Sequence, residues 1–215
     1  LHTDGMQFPQ AAAWNPGFLP SKYQGTLVDP SKGILHAKRP ADVSTTQREH
    51  ELKAIQAMNK QFYSTTKLNE LEARIRSYTT AFEMQTSAPE LFAITQETAE
   101  TQTLYGCNEK TTREVGRACL MARRMVQRGV RYIQIRVGGW DAHGDLKGNH
   151  EKISARTDIP VAALLSDLKR TGLLENTMVV WGGEFGRTPT MEGRAGGRDH
   201  SPTAYTTWLA GGGTQ

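Results

Sequence analysis

The sequence predicts an α/β fold in which a helix connects two parallel strands. Two β-branched runs, at residues 130–137 and 178–181, each end in a pair of glycines. Between them, apolar residues recur at helical spacing from Ile159 to Thr171, and Gly172 follows as a stop signal. A crossover of this kind makes the two strands parallel, so both finish at the same edge of the sheet. Open α/β sheets place their ligands at that edge.

The first part of the chain predicts an irregular segment followed by a helix. Residues 1–40 contain a turn-rich stretch of Trp, Pro and Gly, so we expect this segment to wrap over the domain. Ser44 and Gln47 have the spacing of a capping box, and apolar residues then recur at helical spacing. We therefore predict a helix from Thr45 to Ser64.

Further helical patterns follow. A second amphipathic pattern predicts a helix from Asn69 to Gln85. With the preceding helix it would form a hairpin over residues 45–85 that packs on the sheet or acts as a lid. A third pattern, capped by Thr111 or Thr112, predicts a helix that ends at Gln127 and begins an α/β core spanning residues 112–215. Residues 204–210 predict a further strand.

Composition excludes several classes of protein. The net charge is +4 and the pI about 9.1, but the basic residues are scattered, so no nucleic-acid stripe is predicted. No apolar run is long enough to cross a membrane. Two cysteines exclude a disulfide scaffold: Cys119 is predicted to be buried on a helix face, and the role of Cys107 is open. The arginines of the third helix are interpreted as a solvated face: Arg113, Arg117, Arg123, Arg124 and Arg128.

Acidic and imidazole side chains follow both predicted strands. Asp141 and His143 come after the first strand, and Glu184 comes after the second. By the strand-end rule these three side chains converge on one crevice, where they suggest a metal site. His200, at the end of a glycine-rich loop, is a fourth candidate ligand. The alternatives are a turn-capping role for Asp141, a surface histidine at 143 and a hydrogen-bonded turn acid at 184.

The chemistry of such a site is that of a hydrolase. Mixed carboxylate and imidazole ligands fit one or two divalent ions, of zinc, manganese or iron, or of magnesium or calcium if oxygen dominates. Arg187 is a candidate clamp for phosphate or sulfate oxygens, or it holds Glu184 in place. No Gly-x-Ser-x-Gly elbow and no phosphate-cradling loop occur in the sequence, so the nucleophile stays unassigned.

Several motifs together resemble a bacterial family of unknown function, domain-of-unknown-function family 1501, which is abundant in planctomycetes and related to sulfatases and alkaline phosphatases. The likeness covers nearly the whole chain. It is carried chiefly by Gly138-Gly139-Trp140-Asp141-Ala142-His143, Gly183-Glu184-Phe185-Gly186-Arg187-Thr188-Pro189, Gly197-Arg198-Asp199-His200 and Leu209-Ala210-Gly211-Gly212-Gly213.

The resemblance implies an alkaline-phosphatase-like α/β fold, with a mostly parallel sheet flanked by helices. Residues 1–215 would then form a single partial domain that lacks N-terminal strands. It also implies export to the periplasm or outside the cell through a leader, and metal-dependent hydrolysis of a phosphate or sulfate ester, of a small molecule or a carbohydrate. The nucleophile is expected outside this chain. The alternative is an exported binding or scaffold protein that keeps the fold without turnover.

The resemblance also assigns roles to individual residues. Where the related enzymes carry Asp followed by His or Asn, this chain carries Glu184 and Phe185. The sequence around Cys119 departs from the sulfatase nucleophile motif and lies in a helical pattern, so Cys119 is not assigned that role. The implied metal ligands are Asp141, His143, Glu184 and His200, and the implied anion contacts are Arg187 and Arg198.

Overall fold

The structure is a computed structural model that describes residues 17–19, 23, 25–31, 33–34, 43–66, 89–193 and 196–214. The chain divides into two compact units, residues 6–93 and residues 94–215 together with 1–5. The helices are α1 (Thr45–Thr66), α2 (Pro89–Phe92), α3 (Ala99–Leu104), α4 (Arg113–Gln127) and α5 (Leu146–Arg170). The strands are β1 (Val28–Asp29), β2 (Gly33–Ile34), β3 (Met178–Gly182), β4 (Gly186–Arg187), β5 (His200–Ser201) and β6 (Thr207–Gly211).

The unit of residues 6–93 contains α1 and a short hairpin. The prediction of a first helix is confirmed, because α1 spans Thr45–Thr66. The backbone N–H of Gln47 donates to Ser44 Oγ at 3.1 Å, so the serine caps the helix. Strands β1 and β2 pair antiparallel within the segment predicted to be irregular. The helix predicted at 69–85 lies outside the described residues, so the hairpin of two helices stays a prediction.

The core of the unit formed by residues 94–215 lies between α4 and α5. The third predicted helix is confirmed as Arg113–Gln127, and it begins directly after Thr112. The Thr112 hydroxyl does not cap it but donates to the Gly106 carbonyl at 2.7 Å. The most deeply buried apolar side chains of the two helices are Val115, Ala118, Cys119, Leu120 and Met121 of α4 and Pro160 and Leu168 of α5.

Helix α5 begins earlier than its apolar spacing predicts. Apolar residues recur at helical spacing only from Ile159, but the helix begins at Leu146 and continues through Pro160. Asp145 causes the early start, because its side chain accepts a hydrogen bond from the Gly148 N–H at 3.2 Å and caps the first turn. At 25 residues α5 is the longest described helix. No helix in the described ranges is both long and apolar enough to cross a membrane.

The predicted parallel sheet is not formed, so the α/β, alkaline-phosphatase-like fold class is wrong. Strand β3 confirms the second β-branched run, but it pairs antiparallel with β6, with Val180 opposite Leu209. Residues 130–137 form no strand, and Tyr132 is 83% exposed. In the described ranges, each named sheet is a two-stranded antiparallel pair. A β-branched run indicates an extended segment but does not specify its partner, and β6 occupies one edge of β3.

A buried carboxylate, Asp167 of α5, is the centre of an ionic network. Its Oδ2 accepts a hydrogen bond from the Tyr105 hydroxyl at 3.0 Å and lies 3.1 Å from Nε of Arg123. Arg170 donates to Oδ1 at 2.6 Å. Burial and the neighbouring Asp167 charge raise the pKa of Tyr105, so its hydroxyl stays a donor. Because a buried charge is tolerated only when it is paired and hydrogen-bonded, these contacts determine which face of α5 packs inward.

Glu97 extends this network on the other side of Arg123. Arg123 donates to Glu97 Oε2 at 2.8 Å, and Arg124 donates to Oε1. Burial favours the neutral form of Glu97, but the hydrogen bonds from the two arginines outweigh it and lower the pKa of the carboxyl. The prediction of a solvated arginine face is therefore wrong for Arg123, which is only 7% exposed, although Arg113 and Arg128 are exposed. Arg123 lies one helical turn after a buried cysteine, so it shares the inward face.

The lowered pKa of Glu97 predicts a loss of stability in acid. Because the folded pKa lies below the reference value of 4.5, the stabilisation is complete above that value and is lost as the pH falls through the folded pKa. We expect Glu97→Gln to lower the free energy of unfolding by about 3 kcal/mol at pH 7, as for a broken buried pair, and by less at pH 3.

Urea unfolding at the two pH values measures this difference. Glu109→Gln, at an exposed position, is the matched control and should change the free energy of unfolding by less than about 0.5 kcal/mol. An equal loss for Glu97→Gln at pH 7 and pH 3 would contradict the ionic role of this carboxylate.

Candidate metal site

A hairpin, residues 186–193 and 196–201, carries most of the candidate site, and we call it the site hairpin. Its strands β4 and β5 pair antiparallel, with Arg187 opposite His200. The Thr188 N–H donates to the Asp199 carbonyl at 2.9 Å, and Glu192 forms a bridge with Gly197 nearer the tip. These backbone pairs determine which side chains of the site hairpin are neighbours.

The segment after residue 140 runs along the site hairpin. The Arg198 N–H donates to the Ala142 carbonyl at 3.0 Å, and Gly144 forms a bridge with Gly196. Gly197 permits this close approach, because a Cβ there would lie 2.0 Å from the carbonyl carbon of His143. The pairing brings the side chains of residues 141 and 143 to the side chain of His200 without any contribution from a parallel sheet.

Three potential ligand atoms converge at this junction. Asp141 Oδ1 lies 2.9 Å from His143 Nε2 and 3.0 Å from His200 Nε2. The two Nε2 atoms are 3.1 Å apart. Bond lengths of about 2.0–2.1 Å place the ligand atoms of a tetrahedral zinc about 3.3 Å apart, so this triangle has nearly the size that a shared cation requires. We call Asp141, His143 and His200 the ligand triad.

The carboxylate of the triad is also an ion-pair partner. Arg187 Nη2 donates to Asp141 Oδ1 at 2.6 Å. Hydrogen bonds from Arg187 and His200 lower the pKa of Asp141 to about 2, so the carboxylate is ionised at any physiological pH. Arg187 therefore lies beside the triad, and its role as an anion contact stays a prediction. It holds Asp141 rather than Glu184, the partner that the sequence suggested as an alternative.

A further carboxylate, Glu192, contacts the triad from the other side of an imidazole ring. Its Oε2 lies 2.6 Å from His143 Nδ1, and this hydrogen bond raises the pKa of His143. No sequence pattern predicts Glu192 as a site residue, because only its register opposite Gly197 in the site hairpin places it there. His143, Glu192 and Asp199 form a second group whose potential ligand atoms lie within 4.8 Å of one another.

Two other predicted site residues have different surroundings. Glu184 is exposed in the bend between β3 and β4, and it belongs to neither of the two ligand groups found among the described residues. Its predicted role as a ligand is untested, and the residues that do converge form a group without it. Arg198 contributes its backbone N–H to the pairing with Ala142, and its carbonyl accepts from Arg187 at 3.4 Å. The role of its side chain as an anion contact also stays a prediction.

Aromatic packing supports the segment that precedes the triad. The ring of Trp140 meets Trp181 of β3 edge to face at 6.0 Å, and Trp181 stacks on Trp208 of the paired strand. Trp140 also meets the His150 ring edge to face, with 5.4 Å between the ring centres. Such pairs add roughly 0.5–1.5 kcal/mol beyond the area they bury. The position of residue 141 is thus coupled to the β3–β6 pair.

The two cysteines lie outside this chemistry. Both are buried, Cys119 inside α4 and Cys107 just before it. Burial raises the pKa of Cys119 to about 12 and that of Cys107 to about 11, so both are thiols at neutral pH. A buried thiol of this kind does not suit the role of a sulfatase-type nucleophile, since a reactive cysteine is a thiolate.

Comparison with known proteins tests the family resemblance but not its functional implications. No curated protein and no solved structure matches this chain significantly. The relationship to sulfatases and alkaline phosphatases and the planctomycete origin are therefore not shown. A family model described as "Protein of unknown function (DUF1501)" matches residues 1–215, so the chain belongs to that family.

Proposed function

We propose that this protein binds a divalent cation through Asp141, His143 and His200 and hydrolyses a phosphate or sulfate ester. The observation that supports this proposal is the ligand triad, whose three donor atoms lie 2.9–3.1 Å from one another. Lone-pair atoms as close as these repel one another unless a proton or a cation lies between them. Two imidazole nitrogens and one carboxylate favour zinc over magnesium or calcium, which prefer oxygen ligands.

The exposure of the triad suits a catalytic rather than a closed structural cation. The side chain of Asp141 is 64% exposed, and those of His143 and His200 are 41% and 46% exposed. Three protein ligands with an open fourth position are typical of catalytic zinc sites. A cation held there would lower the pKa of a bound water and polarise an ester oxygen.

Arg187 is the residue that suits an anionic substrate. Its guanidinium lies beside the triad, hydrogen-bonded to Asp141 and 5.8 Å from the centre of the Phe185 ring. A planar guanidinium matches phosphate and sulfate oxygens with two parallel hydrogen bonds. In this proposal Arg187 orients the ester and holds Asp141, and His200 and His143 hold the cation. Export of the protein to the periplasm or outside the cell is part of the same proposal.

The alternative proposal is an exported binding or scaffold protein without turnover. It is favoured by the ion pair of Arg187 with Asp141, 2.6 Å long, because the carboxylate already has a cationic partner. A cation retained in such a protein would be structural. Turnover is the measurement that separates the two functions.

Cation binding is the first prediction that follows from this proposed function. We expect zinc to bind the purified chain in a one-to-one ratio by isothermal titration calorimetry. His143→Ala removes a ligand and should lower the affinity by more than about 100-fold, which exceeds the range for residues outside the ligand set. His50→Ala, at an exposed position on α1, is the matched control and should bind zinc as the wild type does. Equal affinity of both variants would contradict the triad as the site.

Turnover is the second prediction. Aryl-phosphate or aryl-sulfate hydrolysis by the purified full-length protein should be abolished by a chelator and restored by zinc. Asp141→Asn keeps the size of the side chain but removes its charge, so we expect kcat/KM to fall by at least about 100-fold. Zinc binding without turnover of either ester would support the scaffold function instead.

The predicted fourth ligand, Glu184, gives the third prediction. Because its carboxylate lies outside both ligand groups, we expect Glu184→Gln to change the zinc affinity by no more than about 2-fold, as for a surface substitution. Calorimetry under the same conditions as for His143→Ala measures this. A loss as large as that of His143→Ala would show that Glu184 joins the site when the cation binds.

A further inference from the structure

We propose that Glu192 is a positioning residue: its carboxylate orients the ring of His143 so that Nε2 faces the cation. The inference rests on the proposed cation site. Glu192 Oε2 lies 2.6 Å from His143 Nδ1, and Nε2 on the opposite side of the ring lies 2.9 Å from Asp141 Oδ1. Histidines that ligate metals usually donate their other N–H to a carboxylate, a carbonyl or water.

The contact with Glu192 selects the tautomer of His143. A neutral imidazole carries one N–H and one lone pair. With the proton on Nδ1 and donated to Glu192, the lone pair is on Nε2 and faces Asp141 Oδ1 and His200 Nε2. Nε2 of His143 and Oδ1 of Asp141 are then two acceptors 2.9 Å apart. A cation between them removes the repulsion of these acceptors, so the hydrogen bond to Glu192 favours the form that binds metal.

The backbone holds Glu192 in register with His143. The Glu192 N–H donates to the Gly197 carbonyl at 3.0 Å, and the two residues form a bridge in the site hairpin. Gly197 in turn lies against the backbone of His143, where a Cβ would overlap the carbonyl group. One stretch of backbone therefore sets both ends of the contact. Neither side chain is fully exposed, with 39% exposure for Glu192 and 41% for His143.

Glu192 could otherwise be a ligand of a second cation, together with His143 and Asp199. Two observations favour the positioning role. The separation of 2.6 Å between Nδ1 and Oε2 is that of a charge-assisted hydrogen bond, and it is shorter than the 3.3 Å or so between ligands of one tetrahedral zinc. In addition, Asp199 Oδ1 already accepts a hydrogen bond from the backbone N–H of His200 at 2.7 Å.

Zinc titration of Glu192→Gln and Glu192→Ala tests the proposal. We expect Glu192→Ala to weaken zinc binding by about 10- to 100-fold, with the one-to-one ratio retained. Glu192→Gln keeps an oxygen that can accept the Nδ1–H, so its affinity should lie between those of Glu192→Ala and the wild type. The matched control is Glu151→Gln, since Glu151 is exposed on α5 and has Lys147 at 3.9 Å; its affinity should equal that of the wild type.

The visible spectrum of the cobalt-substituted protein separates positioning from general stability. We expect the ligand-field bands of Co²⁺ to shift in Glu192→Ala, because the His143 ring turns, and to return towards the wild-type spectrum in Glu192→Gln. A merely structural role would lower the melting temperature and leave the spectrum unchanged. If Glu192→Ala does not fold, the cobalt spectrum and zinc affinity of the nearly isosteric Glu192→Gln are compared with those of the wild type instead.

The outcomes distinguish this inference from the proposed function. Wild-type zinc affinity and cobalt spectrum in both Glu192 variants would overturn the positioning role and leave the triad intact. Two zinc ions in the wild type and one in Glu192→Ala would overturn it in favour of a second ligand set. A wild-type chain that binds neither zinc nor cobalt would overturn both proposals.

Discussion

The candidate site depends on one backbone pairing, between the segment around residue 142 and the tip of the site hairpin. The hydrogen bond from Arg198 to Ala142 and the bridge of Gly144 with Gly196 hold two segments together that lie more than fifty positions apart. This approach is possible only because Gly197 has no side chain to collide with His143. A tight backbone contact of this kind fixes the positions from which the side chains on either side project. The geometry of the triad therefore depends on it.

The helical core supports that pairing. Asp145 follows the paired segment directly and caps α5, so the end of the site segment is also the start of the longest described helix. Helix α5 is in turn held against its neighbours by Asp167, whose charge is compensated by Arg123 and Arg170 and by the hydroxyl of Tyr105. Removing one partner would leave a buried charge uncompensated, at a cost of several kcal/mol. The site and the ionic network are therefore linked through one helix.

The charged and polar contacts of the site meet at the carboxylate of Asp141. Arg187, His143 and His200 all approach its Oδ1, and the hydrogen bonds from Arg187 and His200 hold the pKa of Asp141 near 2. Glu192 acts on the same cluster from behind the His143 ring and raises the pKa of that imidazole. The carboxylates thus favour positive charge at the junction, whether it comes from protons, from arginine or from a bound cation. The preference of this junction for positive charge follows from these carboxylates and their partners rather than from the class of fold.

The sequence by itself determined the local elements: α1 and α4 from apolar spacing, β3 from its β-branched run, and Ser44 as a cap. It also singled out the three residues of the triad. Only the tertiary structure decided that β3 pairs antiparallel with β6, that Arg123 is buried and that Glu192 meets His143. The reason is physical. Helical spacing and capping are encoded within a few residues, whereas the choice of a partner strand or an ion pair is a competition among distant segments that no local pattern records.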